Sequence, residues 1–396
     1  MALPALTPLP RVQRPRRATP ADAVRPTRAE VNLGHLRHNL RVLRRYAGDT
    51  RLWGVLKADG YGHGAPAVAR TLERAGIDGI CVALLEEAVE LRNAGIHAPI
   101  LVMGGNYGHG WGELLAHDLT PVVYDPGQLE ALAREVRLYG HAPVGVHLKV
   151  DTGMSRLGVR HDAIGTMLDR IRSLPEVRLT GMMTHFADAD GDNLDVTDHQ
   201  CALFDRAVSE TRTAGFHPDV IHAANSAALI RVPHARYDLA RPGIALFGVS
   251  PRTDLVTDLR PVMRVRSEIV ALREVLPGEG AGYGSTWKAQ RTSQLATVPM
   301  GYADGLPRSL SNKGRVLVRG ASAPIVGNVS MDMIMVDVTD LPGASLRDEV
   351  VVLGPQQGPL GSDVIGADEI ARHADTISWE ILTGISRRVP RFFREP

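Results

Sequence analysis

Residues 54–64 read GVLKADGYGHG. The preceding run, RLWGVL (51–56), has the apolar character of a short buried strand, and the residues after it are rich in glycine, so Lys57 stands where a strand opens into a loop. An ammonium at the edge of a core loses hydration and its pKa falls, which yields a nucleophilic free amine. The competing reading is a strand-end lysine whose stem packs on the core while its head reaches water. What the rest of the chain supplies separates the two.

From residue 51 onward, apolar runs alternate with helical patterns. The runs are RLWGVLK (51–57), GICVAL (79–84), PILVMGG (99–105), TPVVYD (120–125), VGVHLKVD (144–151), VRLTGMMTH (177–185), DVIHAAN (219–225) and YDLARPG (237–243). Between them lie amphipathic stretches such as APAVARTLERAG and LEEAVELRNAG, which end in the glycine expected just past a helix. Eight strand-helix units in succession predict a TIM (β/α)8 barrel, with chemistry gathered at the C-terminal ends of the strands. Beyond about residue 250 the texture changes to long alternating runs, such as VMRVRSEIVAL and IVGNVSMDMIMVDV, which predict a mostly β C-terminal domain. The expected division is a tail over 1–28, a barrel over 29–250 and a β domain over 251–396.

The tail carries six prolines and six arginines against one acidic residue, Asp22, a composition that buries too little apolar surface to order itself. Over the whole chain 45 basic residues balance 44 acidic ones, which argues against nucleic acid or an anionic membrane as partner and leaves a small molecule as the default substrate. The two cysteines, Cys81 and Cys201, have no metal-ligand spacing, so no metal site is expected and both read as reduced residues of a cytoplasmic protein. Neither a long apolar span nor an N-terminal export pattern is visible.

Barrels commonly bind phosphate after strands seven and eight. Here strand seven ends in Asn225-Ser226 and strand eight in Arg241-Pro-Gly243-Ile244. Taken singly, Ser226 reads as a helix cap and Gly243 as a tight turn; together, after those two strands, they point to phosphate. A lysine at the end of strand one facing such a site implies a phosphorylated aldehyde held as a Schiff base, of which pyridoxal phosphate is the common example. A guanidinium can only donate, so Arg241 beside the pyridine nitrogen would leave that nitrogen unprotonated. In strand five His147, Lys149 and Asp151 share one face and lead to Arg156, a candidate anion binder that this cluster would steady, although Lys149 also reads as a structural ion-pair member. His185, ending strand six, supports Arg241 or caps a core network. In the second domain, Tyr283 between glycines has the form of a ligand wall or of a packed turn tyrosine.

Taken together and in order, TRAEVNLGHLRHNL, GVLKADGYGHG, HLKVDTGMSRLG, THFADAD, HAANSAAL, ARPGIALFG, GYGSTW, PMGYADGLPR and GNVSMDMIMVDV resemble the bacterial alanine racemase family over nearly the whole chain. The resemblance implies a pyridoxal phosphate-dependent isomerase that interconverts L- and D-alanine and supplies D-alanine for peptidoglycan. It implies the cofactor on Lys57, with Tyr61, Asn225, Ser226, Gly243, Ile244 and the position of Trp379 around it, Arg241 at the pyridine nitrogen and His185 behind. It further implies Arg156, Met331 and Asp332 near the substrate carboxylate, with Arg156 also at the cofactor. Tyr283 is implied as the second acid-base group, reaching in from the partner in a homodimer, and Lys149 as a site of carbamylation. The chain departs from the family at Ile377-Ser-Trp379-Glu, where a tyrosine is usual; the indole keeps a donor and loses the hydroxyl.

Two other readings share the barrel. A decarboxylase of this architecture places an acid at the pyridine nitrogen, which Arg241 opposes. A non-catalytic cofactor carrier lacks the β domain. Racemisation of serine or of a bulkier amino acid is the alternative within the same chemistry.

Overall fold

Eight short strands, Arg51–Val55, Gly79–Val82, Ile100–Val102, Thr120–Val123, Val144–Asp151, Val177–Met183, Val220–His222 and Leu239–Ala240, follow one another in the computed structural model, which describes residues 23–252, 254–256 and 258–395. Numbered one to eight in that order, neighbours from one to seven pair in parallel and strand eight pairs with strand one through Leu239 opposite Arg51. Strands seven and eight are joined by the Arg241 N–H, which donates to the Ala224 carbonyl (2.9 Å), and by Asp238 N–H to the Ile221 carbonyl (3.1 Å). The barrel expected from the alternating pattern is therefore present, with helices such as Ala65–Arg74, Pro126–Tyr139 and Asp195–Thr213 on its outside.

Local chemistry accounts for where these helices begin and end. Asp125 accepts from the Gly127 N–H at 2.8 Å and Pro126 fills the first helical position, which together start the helix Pro126–Tyr139. Gly140 ends it in the left-handed conformation. Side chains such as Leu129, Leu132 and Val136 recur on one face and are fully buried.

A second, largely antiparallel sheet of ten strands follows the barrel, as the alternating runs predict. Its order brings in one strand from the other end of the chain: Arg28–Asn32 pairs antiparallel with Met263–Glu268 and parallel with Arg391–Arg394. Glu30 on that strand is buried and accepts from Arg266 (2.8 Å) and Arg394 (2.7 Å), which fixes the register.

This strand corrects the expected boundaries. Residues 1–22 of the basic tail lie outside the described residues, but its last residues are anchored. Arg25 pairs with Asp304, Thr27 is fully buried against Ser267, and Arg28 already lies in the strand. Residues 29–32 accordingly belong to the second sheet and not to the barrel. Composition hides this because the strand's partners are separated from it by the whole barrel. Among the described residues no helix is long and apolar enough to cross a membrane.

Candidate active site

The C-terminal ends of strands one, three, six, seven and eight surround a cavity lined by Val55, Lys57, Tyr61, Met103, His185 and Asp190, with Asn225, Ser226, Arg241, Gly243, Ile244 and, from the second domain, Trp379. Nine of the residues singled out from sequence thus meet in one place, with Arg156 acting electrostatically on Lys57 and both Arg156 and Lys149 on His185.

Lys57 follows strand one and opens to solvent through the cavity mouth. Its pKa is nevertheless held below the usual lysine value, first because surrounding protein strips hydration from the ammonium, then because Arg156 repels it, with Glu87 opposing. Lys149 on strand five is buried and is pushed down to about 8 by the same loss of hydration and by Arg241, Arg156 and Lys57, Asp151 working the other way. Four cationic side chains therefore crowd one barrel mouth, where they favour an anion and where the arginines favour the neutral form of the two lysines. Asp190 is the one acid among the described lining residues, and it had been given no role from sequence.

On the phosphate side, Asn225 and not Ser226 caps the helix Ser226–Arg231, its side chain accepting from the Ala228 N–H at 2.9 Å. That frees Ser226, whose Oγ accepts from the Gly243 N–H at 2.9 Å and so bridges the loops after strands seven and eight. Gly243 leads into a short turn, Ile244–Phe247, whose first N–H groups have no partners within the turn. A Cβ on Gly243 would lie 2.3 Å from the Tyr61 hydroxyl, so only glycine lets that phenol approach the backbone. Burial raises the Tyr61 pKa well above its ordinary value, which keeps the phenol protonated and a donor. Tyr61, Ser226, the Trp379 indole and the backbone here form a donor set suited to phosphate. Trp379 lies on this wall where the family resemblance puts a tyrosine.

Arg241 is 2 % exposed and held on three sides. Its Nη2 donates to the carbonyls of Thr184 (2.8 Å) and Ala223 (2.9 Å), and its Nη1 to Nδ1 of His222 (2.7 Å). His185 stands farther, 3.5 Å from Nη2, so the nearer imidazole behind Arg241 is His222. His222 in turn meets Nδ1 of His147 at 2.8 Å. The sequence signal for His222 was its place in DVIHAAN at the end of strand seven, one strand from Arg241. Burial and the neighbouring cations push His147 and His185 down to about 3, so these imidazoles are neutral.

The structure does not bring Tyr283, Met331 or Asp332 to the cavity of their own chain. Tyr283 projects from a turn between Gly282 and Gly284 and is 77 % exposed, and Met331 is 53 % exposed. Asp332 accepts from Arg388 at 2.6 Å, and the Met331 carbonyl accepts from the Ala303 N–H at 3.0 Å, which ties this loop to the one bearing Tyr302, 42 % exposed.

Comparison with known proteins accords with this arrangement. Residues 31–251 match the family model for the alanine racemase N-terminal domain, and residues 262–393 that for the alanine racemase C-terminal domain. An alanine racemase of Sorangium cellulosum is 62 % identical over 379 residues, spanning 94 % of this chain and all of the relative. One of Halothermothrix orenii is 43 % identical, with 93 % and 97 % covered. Among solved structures, the alanine racemase from Streptomyces coelicolor superposes with a TM-score of 0.88 at 36 % identity, over 94 % of this chain and 99 % of the other. That from Bacillus anthracis, solved with bound L-Ala-P, gives 0.87 at 33 % identity, over 94 % and 96 %.

Proposed function

The chain belongs to the alanine racemase family, and we propose that it interconverts L- and D-alanine at the mouth of its barrel, with pyridoxal phosphate as cofactor and a second copy of the chain completing the site. The observation that carries this reading is the meeting, in one cavity, of a lysine with a depressed pKa, a donor set suited to phosphate and a buried arginine held by a neutral imidazole.

The residues present fit the cofactor. Lys57 is the amine that would hold its aldehyde, and Tyr61, Ser226, Gly243, Ile244 and Trp379 would hold its phosphate. Asn225 lies beside them, and Arg241 would face the ring nitrogen. When bound, pyridoxal phosphate supplies an electron sink conjugated to the substrate's α-carbon, which acidifies the C–H bond there. Arg241 has donors only and keeps its proton, so it denies the ring nitrogen a proton and limits how far that sink can draw charge. Arg156, accessible at the mouth, is the cation for the substrate carboxylate, with Met331 and Asp332 of the second copy beside it. Lys149, with its pKa lowered to about 8, keeps a substantial neutral fraction and is the amine suited to carbamylation. As a carbamate it would turn from a cation that repels Arg156 into an anion that orients it.

Inversion requires a proton to leave one face of the α-carbon and to arrive at the other. Lys57 takes or gives it on one face and Tyr283 on the other, and the reverse reaction exchanges their roles. Because Tyr283 stands exposed and away from its own cavity, the second base comes from the partner in a two-fold dimer. Free, buried Cys81 and Cys201 accord with a cytoplasmic setting.

Incubation of the purified protein and pyridoxal phosphate with L-alanine, followed by chiral chromatography, tests the activity. D-alanine should accumulate to near parity. Inversion of serine but not of alanine would overturn the substrate assignment. Borohydride reduction and peptide mapping should place the cofactor on Lys57, and an adduct on Lys149 or Lys288 would overturn the site.

A further inference from the structure

The residues following Lys57 adopt a conformation that needs support. Ala58, Asp59, Gly60 and Tyr61 have φ of 51°, 59°, 62° and 51°, a left-handed turn in which three residues are not glycine. For an L-residue this conformation costs roughly 1–2 kcal/mol, so neighbouring groups must hold it in place.

The barrel holds one side. Glu87 accepts from the Ala58 N–H at 2.6 Å through one oxygen, and from the Ala83 and Leu84 N–H groups at 2.9 and 3.1 Å through the other, which fastens the turn to the end of strand two. Asp59 Oδ1 accepts from the Ala65 N–H at 2.9 Å.

The second domain holds the other side, through one guanidinium. Arg391 is 3 % exposed, and its Nε donates to the Gly62 carbonyl at 3.0 Å. Three further donors of the same guanidinium go to the carbonyls of Ile385 (2.6 Å), Val389 (2.6 Å) and Ser386. Those carbonyls lie in the segment directly after the helix Ser378–Gly384, which carries Trp379. The same helix touches the turn closely: a Cβ on Gly62, φ 78°, would lie 2.3 Å from the Leu382 carbonyl oxygen. One buried cation therefore fastens the turn that bears Lys57 and Tyr61 to the helix that bears Trp379, and these are two walls of the cavity.

We infer that Arg391 is a positioning residue, which acts through the Gly62 carbonyl to keep Lys57 and Tyr61 aimed into the cavity and in register with Trp379. The inference rests on the reading of that cavity as the cofactor site. Arg92 supplies the matched contrast. It too donates to four carbonyls, of Ile96 (2.9 Å), Ala98 (2.8 Å), His117 (2.9 Å) and Asp118 (3.2 Å), but on the outside of the barrel.

The test compares Arg391→Met and Arg391→Lys with Arg92→Met in the full chain. Two quantities are read: amide exchange of residues 58–64 in cofactor-free protein, and the dissociation constant for pyridoxal phosphate. Losing a charge-assisted hydrogen bond at the turn should speed exchange there and weaken cofactor binding, each by at least about tenfold. Arg391→Lys should recover part of both, because one ammonium cannot serve four carbonyls. Arg92→Met should change neither at a comparable loss of melting temperature. Should Arg391→Met prove insoluble, Arg391→Lys decides alone. Wild-type exchange over 58–64 in the Arg391 variants overturns the inference, as does looser exchange with unchanged cofactor affinity. If the wild-type protein itself does not bind pyridoxal phosphate, the cofactor reading fails, while exchange over 58–64 still decides whether Arg391 holds the turn.

Discussion

Arg241 Nη1 stands 2.7 Å from Nδ1 of His222, and since a guanidinium has only donors, that nitrogen of His222 carries no proton. Burial and the Arg241 charge hold His222 well below its ordinary pKa, so the ring is neutral and its proton sits on Nε2. From there it donates to Nδ1 of His147 at 2.8 Å. Two imidazoles thus have their tautomers set by one arginine, and they keep the guanidinium pointed at the cavity.

Arg241→Glu reverses the sign at the end of this chain. A carboxylate accepts from a protonated ring nitrogen, which deepens the electron sink. Turnover with alanine should slow by at least about tenfold, equivalent to roughly 1.4 kcal/mol in the barrier. New absorbance at long wavelength and more transamination should accompany the loss. Full activity without a spectral change would show that Arg241 does not face the ring nitrogen.

His63 should contribute to acid sensitivity. It is wholly enclosed, its Nδ1 within 3.0 Å of the Gly60 and Tyr61 carbonyls and its ring 4.4 Å from that of Phe247. Burial lowers its pKa from 6.5 to about 4. Because the folded value is depressed, the unfolded chain takes up the proton first. Stability from this group is therefore complete above pH 6.5 and is lost as pH falls from 6.5 to about 4. Urea unfolding of His63→Leu across that window should show a slope shallower by up to about 1.4 kcal/mol per pH unit. An unchanged slope would mean that His63 is already protonated in the fold.

Trp379 offers an optical report on the phosphate wall. Addition of pyridoxal phosphate should quench fluorescence of the wild-type protein, and Trp379→Phe should lose much of that response while binding the cofactor more weakly. Trp379→Tyr, which restores a hydroxyl, should bind at least as tightly as wild type. Equal quenching and equal affinity in the phenylalanine variant would remove the indole from the site.

Much of this was legible in the sequence because both signals are local. Each barrel strand is an apolar run bounded by its own loop, and the site residues stand at those boundaries, so placing the strands placed Lys57, Ser226, Arg241 and Gly243 together. The N-terminal strand Arg28–Asn32 escaped because its partners, Met263–Glu268 and Arg391–Arg394, lie near the far end of the chain. His222 escaped because an imidazole in an apolar run is equally consistent with a core hydrogen bond until Arg241 is seen 2.7 Å away. The left-handed turn after Lys57 escaped for a related reason. Glycine 60 permits it, but Ala58, Asp59 and Tyr61 adopt it only because Glu87 and the second domain hold it there.

In the proposed reaction Lys57 of one chain and Tyr283 of another serve opposite faces of one carbon, a division of labour between subunits. Subunit exchange between inactive Lys57→Ala and Tyr283→Phe chains measures it most directly. Each mixed dimer would hold one site with neither base and one with both. Random pairing of equal amounts makes about half the dimers mixed, so racemase activity should return to roughly a quarter of wild type. No recovery, with exchange verified by a size tag, would show that both bases come from the same chain.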